Sequence, residues 1–189
     1  MKLIAGLLLV ILLSVQGSVL ADVDVDDIKL PRGFEIEIYA HVPNARSLAL
    51  GYNGVVFVSN RRASSVYAVI PSGDANPQVI EIARDLDMPN GIAFHNADLY
   101  VAEVSRILVY RNIMARLTQP PKPEVLNIQL PGERHHGWRY IGFGPDNLLY
   151  VSVGAPCNIC DRDAEGFGQI WRMNADGSGK ETYAHGIRN

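Results

Sequence analysis

Cysteine is scarce in this 189-residue chain, which has only Cys157 and Cys160. A single C-x-x-C pair falls short of the ligand set a structural zinc site needs. The next residue is Asp161 rather than His, which argues against covalent c-type haem. A thioredoxin-like role needs a βαβ setting, and the sequence shows no such pattern. Charge of one sign is equally scarce. The 17 Lys and Arg stand against 20 Asp and Glu, and the formal net charge of −3 is evenly spread. No basic patch points to nucleic acid, and no basic amphipathic helix points to a membrane surface. Sustained helical periodicity is also missing: the nearest stretch, Val109 to Leu117, is short and runs into Pro120-Pro121. One long apolar run occurs, Leu3 to Val15, broken by Gly6 and Ser14. It is shorter than the roughly 20 residues that span a bilayer.

What is present begins with that run. Lys2 precedes it, and Val19-Leu20-Ala21 follows, just before the acidic stretch Asp22 to Asp27. A basic start, a short apolar segment and a small residue at the cut form the secretory layout. The expectation is a signal peptide over residues 1–21 and an exported protein, periplasmic or secreted, with no membrane span after cleavage. An uncleaved anchor is the alternative. Residues 22–189 are long enough for one domain with its own core. Export makes a disulfide chemically permissible. The expectation for Cys157 and Cys160 is a local structural bridge in an exposed loop, with free thiols or redox work as alternatives.

Three stretches repeat: Ser47 to Asn60, Gly91 to Glu103 and Tyr140 to Val153. Each has a short apolar strand, a turn with Gly, Asn or Asp, and a second strand bearing an aromatic followed by Val. Leu50, Phe94 and Phe143 correspond, as do Phe57, Tyr100 and Tyr150. Gly, Asn and Asp tolerate positive φ, which suits hairpin turns. A third strand follows each pair, at Ser65 to Ile70, Arg106 to Arg111 and Gly168 to Met173. A fourth fits at Gln78 to Ile82 and Glu124 to Leu130. Four short strands recurring every 40–50 residues or so are the signature of propeller blades. The expected fold is all-β, a β-propeller with about three four-stranded blades in this chain; a β-sandwich is the alternative. Three blades cannot close a ring, and Ala184 to Asn189 occupies the place that Asp87 to Gly91 holds one blade earlier. The expectation is therefore the N-terminal part of a longer propeller.

Loops leading into innermost strands converge on a propeller's axis. Asn90, His135-His136 and Arg188-Asn189 lie in three such loops. His136 has the chemistry of a general base near neutral pH, although a loop His pair is also compatible with simple solvation. Arg188 offers a fixed fork of donors for a carboxylate or oxyanion. Glu103 sits at a strand end from which it could face the axis. Asn174 to Gly179 is similar to part of a calcium loop but lacks the distant bidentate Glu. Turn chemistry makes it a turn into an outer strand instead.

The chain resembles the soluble quinoprotein sugar dehydrogenases, the glucose/sorbosone dehydrogenase family. The stretches that carry the resemblance are Leu30 to Tyr39, Met88-Pro-Asn-Gly-Ile-Ala-Phe94, His135-His-Gly-Trp-Arg-Tyr-Ile-Gly-Phe-Gly-Pro-Asp146, Leu149 to Gly154 and Gly186-Ile-Arg-Asn189. The segment His135 to Cys160 is most like the sorbosone branch. The resemblance implies a propeller of six blades using pyrroloquinoline quinone (PQQ) and Ca²⁺, with a sugar as substrate and an electron acceptor that is not specified. It assigns proton abstraction from the anomeric hydroxyl to His136, stabilisation of the reduced cofactor oxygen to Arg188, and a cofactor contact to Asn189. The family's calcium ligands fall beyond residue 189, so no metal ligand is expected here, and this portion alone is expected to be inactive. Gly154-Ala155-Pro156 replaces the Gly-Asp common in the glucose-oxidising branch, which sets glucose itself apart as a substrate. A calcium-dependent propeller lactonase, for which Asn90 would be a ligand, and a non-enzymatic binding propeller are the rival readings.

Overall fold

In the computed structural model of the protein, residues 25–73 and 75–188 are described. The expected signal peptide and Asn189 lie outside the described residues. The chain divides into two compact units, residues 1–37 and 38–189. The described part of the first unit is turns: Ile28 N–H donates to the Val25 carbonyl and Phe34 N–H to that of Pro31, each at 3.2 Å.

The second unit holds three four-stranded sheets. The first comprises β1 (Ser47–Leu50), β2 (Val56–Asn60), β3 (Ser65–Ser72) and β4 (Ala75–Ala83). The second comprises β5 (Ile92–His95), β6 (Asp98–Ala102), β7 (Ile107–Tyr110) and β8 (Glu124–Val125). The third comprises β9 (Ile141–Phe143), β10 (Leu149–Val153), β11 (Gln169–Met173) and β12 (Glu181–Ala184). Each sheet is an antiparallel meander whose strands pair in chain order. These are the blades of a β-propeller, and the sandwich alternative falls.

The hairpin turns form as their residues dictate. In the two-residue link between β5 and β6, Asn96 and Ala97 take φ values of 48° and 69°, the left-handed pair that matches strand twist. The strand-two aromatics face small residues on strand one: Phe57 lies opposite Ala49, Tyr100 opposite Ala93 and Tyr150 opposite Gly142. In the first two blades the ring thus clears its own sheet and reaches the next one. Phe57 stacks on Phe94 of the second blade at 5.6 Å, and Tyr100 meets Phe143 of the third edge-on at 4.9 Å. Such pairs add about 0.5–1.5 kcal/mol beyond the area they bury. Around them lie two cores, one between the first and second blades and one between the second and third. The outer faces lack this cover: Leu50 is 69% exposed on the first blade, and Tyr150 on the third meets Tyr183 of its own sheet.

One outer strand differs from expectation. In the second blade the strand expected over Glu124 to Leu130 is only Glu124–Val125. Leu126 N–H still donates to the Ile107 carbonyl at 2.9 Å, but Ile128 N–H then turns back onto the Leu126 carbonyl at 2.8 Å and the chain leaves the sheet. In the third blade, the Asn174 to Gly179 turn does lead into an outer strand, Glu181–Ala184. There Asp176 Oδ1 accepts from the Ser178 N–H at 2.9 Å and from its hydroxyl at 2.6 Å. That carboxylate closes a turn, and these bonds hold it below the usual carboxylate range.

Candidate active site

The lead-in to the third blade is a tight turn in which Gly137 N–H donates to the Arg134 carbonyl at 3.1 Å. His136 occupies its corner with φ of 55°, a left-handed conformation that histidine accepts more readily than bulkier residues. The two imidazoles stack at 4.0 Å. His135 Nδ1 lies 3.0 Å from the Pro156 carbonyl, and His136 Nδ1 lies 3.1 Å from that of Ala155. A carbonyl oxygen can only accept, so Nδ1 carries a proton, and in the neutral imidazole the lone pair is left on Nε2. The backbone at Ala155 thus fixes the tautomer a general base requires. Trp138 meets His136 edge-on at 5.9 Å, and the Arg61 guanidinium lies 4.1 Å above the Trp138 ring.

His136 and Arg188 come together. With Ala155 and Asn158 they line a cleft of about 260 Å³. An adjoining cleft of about 390 Å³ shares Ala155 and Arg188 and is bordered by Asp163 and His185. The loop carrying Arg188 is tied down by the Ile187 N–H, which donates to the Gly168 carbonyl at 2.8 Å. His185 adds a second tie, its Nδ1 lying 2.9 and 3.0 Å from the two Asp163 oxygens. Donation from His185 and from Gln169 holds the Asp163 carboxyl below its ordinary range. Arg188 itself is exposed and has no hydrogen-bond partner among the described residues. Cys157 and Cys160 are joined in a disulfide with their Cα atoms 5.7 Å apart, and the bridge clips the loop that walls the cleft.

Two other candidates are structural. Asn90 is buried: its Nδ2 donates to the Arg139 carbonyl at 2.8 Å, and its Oδ1 accepts from Arg46 Nε at 3.3 Å. Ser59 Oγ donates to its backbone carbonyl at 2.5 Å. Asn90 therefore joins the three blades at their lead-in ends and does not face a ligand. Glu103 is fully buried, accepts from the Asp87 N–H at 2.5 Å and pairs with Arg106. It does not face the axis. Arg139 is buried in the same region, donating to the carbonyls of Val104 and Pro131. Burial pushes its guanidinium down to about 10. Asn158 escaped the sequence reading, because an exposed loop Asn carries no signal beyond the cysteines that bracket it. Among the described residues, no group of three or more His, Cys, Asp and Glu could hold a metal ion. No helix there is long and apolar enough to cross a membrane.

No protein-family model matches the chain. A relative from Borreliella burgdorferi, an uncharacterized protein, is 25% identical over 174 residues, which is 86% of this chain and 44% of that protein. Among solved structures, the PQQ domain of pyranose dehydrogenase from Coprinopsis cinerea, in its holo form, is similar with a TM-score of 0.65 at 16% identity. The match covers 77% of this chain and 39% of that one. The PQQ-bound aldose sugar dehydrogenase of Streptomyces coelicolor is similar with a TM-score of 0.60 at 21% identity, covering 79% of this chain and 52% of that one. Virginiamycin B lyase from Staphylococcus aureus is similar with a TM-score of 0.51 at 18% identity, covering 78% of this chain and 44% of the lyase. The chain thus spans about half or less of the length of the proteins it matches. At these identities the likeness establishes the propeller fold, and the fold alone hosts more than one chemistry.

Proposed function

We propose that the chain is part of an exported PQQ-dependent sugar dehydrogenase that oxidises the anomeric hydroxyl of an aldose or the hydrated aldehyde of a sorbosone-like sugar. One observation carries this reading: His136, with its free Nε2, lines the same cleft as Arg188, which has no partner among the described residues. A base for the hydroxyl proton and a cation for anionic oxygen are the two groups that hydride abstraction from a sugar asks of a protein.

The residues present suit the quinone. Arg188 is exposed in the cleft and retains its donors for the cofactor's anionic oxygens, and Asn189 follows it in sequence as a further contact. When bound, PQQ supplies the hydride acceptor. The residues of this chain do the rest. His136 Nε2 takes the hydroxyl proton while Ala155 holds Nδ1–H in place, and Arg188 balances negative charge across the cleft. Among the described residues no group of three or more His, Cys, Asp and Glu is gathered for calcium, and no step is assigned to it. A longer chain that supplies the remaining blades belongs to this reading. The uncovered Leu50 and Tyr150 faces support it, as does the roughly half-length match to both PQQ proteins.

Dye reduction by the whole protein, with and without added PQQ, tests the proposal. Activity should depend on PQQ, and His136→Gln should lower turnover by about 100-fold or more, the range for losing a general base. Full activity in that variant would remove His136 from the mechanism. Lactone hydrolysis without PQQ would replace the dehydrogenase reading altogether.

A further inference from the structure

We propose that Asn158 is the specificity-determining contact of the cleft, an amide that holds a hydroxyl of the sugar beside the His136 imidazole. The inference rests on the dehydrogenase reading and names the group that selects among neutral sugars.

Four residues line the cleft. His136 is placed to move a proton and Arg188 to meet an anion. Ala155 has spent its carbonyl on His136 and otherwise offers a methyl group. Asn158 remains. It is exposed and has no hydrogen-bond partner among the described residues, and its amide can both donate and accept. That is the chemistry a sugar hydroxyl pairs with, and it brings no charge to discriminate against an uncharged ligand.

Its position is fixed from both sides. On one flank the Ala155 and Pro156 carbonyls accept from the two imidazoles. On the other, Asp161 Oδ1 accepts from the Asp163 N–H at 3.1 Å and opens a single helical turn, Asp163–Glu165. Between these anchors the Cys157–Cys160 bridge encloses only Asn158 and Ile159. A loop this short and this clipped leaves the Asn158 backbone little freedom to lose, so binding has only the side-chain rotamer to order. The same anchors tie the amide to the base: whatever moves the clip also moves the carbonyl that orients His136.

The test compares the whole protein with its Asn158→Ala and Asn158→Asp variants, using an oxidised aldose and its monodeoxy analogues in the PQQ-dependent assay. Asn158→Ala should lower kcat/KM for the parent sugar by about tenfold, the worth of one hydrogen bond between uncharged groups. For the analogue lacking the contacted hydroxyl, wild type and variant should be equal. Asn158→Asp keeps the size but loses the donors, and it should separate donation from acceptance at the same hydroxyl. Cys157→Ser/Cys160→Ser, with Asn158 intact, should lose part of the same discrimination. In protein without cofactor, the Asn158 side-chain amide resonances should shift when the aldose is titrated in. An unchanged kcat/KM, or an equal loss on the parent and every analogue, would overturn the proposal while leaving the dehydrogenase reading standing. If the wild-type protein oxidises no sugar with PQQ, both fall together.

Discussion

Replacing Asn90 with Ala should unfold the protein more easily without touching its chemistry. The side chain is 5% exposed and makes two bonds that alanine cannot: Nδ2 to the Arg139 carbonyl at 2.8 Å, and Oδ1 from Arg46 Nε at 3.3 Å. Losing the first leaves a buried carbonyl unsatisfied, which costs about 1–3 kcal/mol. Losing the second, longer and partly exposed, adds about 0.5–1 kcal/mol. The sum is roughly 1.5–4 kcal/mol, or roughly 3–16 °C in Tm for a domain of this size. Asn90→Asp should be worse than Asn90→Ala, because it turns a carboxylate oxygen toward the Arg139 carbonyl and sets acceptor against acceptor. Urea titration followed by tryptophan fluorescence reads the effect, since Trp138 and Trp171 both lie in or beside the third blade. A loss below about 0.5 kcal/mol, within the range of ordinary surface substitutions, would refute the claim that Asn90 joins the blades. It would also return Asn90 to the list of ligand candidates.

Two further outcomes follow from the same geometry. Gly91→Ala should destabilise by about 2 kcal/mol or more in the same titration, as an overpacked backbone contact does. An added Cβ would sit 2.7 Å from the Arg139 carbonyl oxygen and 2.8 Å from the Ile141 nitrogen. The Asp163 carboxyl, followed by carbon NMR, should titrate below the ordinary aspartate value and move back toward it in His185→Ala, since His185 is the main cause of the depression. Because the folded value is the lower one, the stabilisation it brings is present above the unfolded value near 3.9 and is lost as pH falls through the folded one. An Asp163 titration that ignores the His185 change would deny the pairing that holds the Arg188 loop.

The blades were legible because their inner strands carry a strong local code: an aromatic on strand two, a small residue opposite it, and a turn of Gly, Asn or Asp between. The outer strands carry a weaker one. Glu181 to Ala184 has little apolar content to mark it, and Glu124 to Leu130 reads as strand by composition although its backbone turns out of the sheet after Leu126. At the candidate site, blade equivalence singled out His136 and Arg188, and the structure places them in one cleft. The same logic put Asn90 and Glu103 among possible functional groups. Asn90 finds its partner 49 residues away, and no local pattern announces such a bond, whereas Glu103 is taken up by Arg106 three residues on and by the Asp87 N–H. For Asn158 the difficulty is reversed, since it has no partner among the described residues to mark it and depends on a fold that brings its loop against His136.

The aromatic step between blades has a direction. In the first two blades the strand-two ring leans forward onto the strand-one position of the next blade, Phe57 onto Phe94 and Tyr100 onto Phe143, and none of the ring pairs among the described residues leans back. A blade of this kind is therefore a connector with unlike ends, a plug in front and a socket behind. Copying one in tandem extends the array without inventing a new joint, and the array can grow in one sense only. Variation in blade number among proteins built this way would then cost a single duplication. A blade inserted with its aromatic on strand one and its small residue on strand two would jam both of its neighbours.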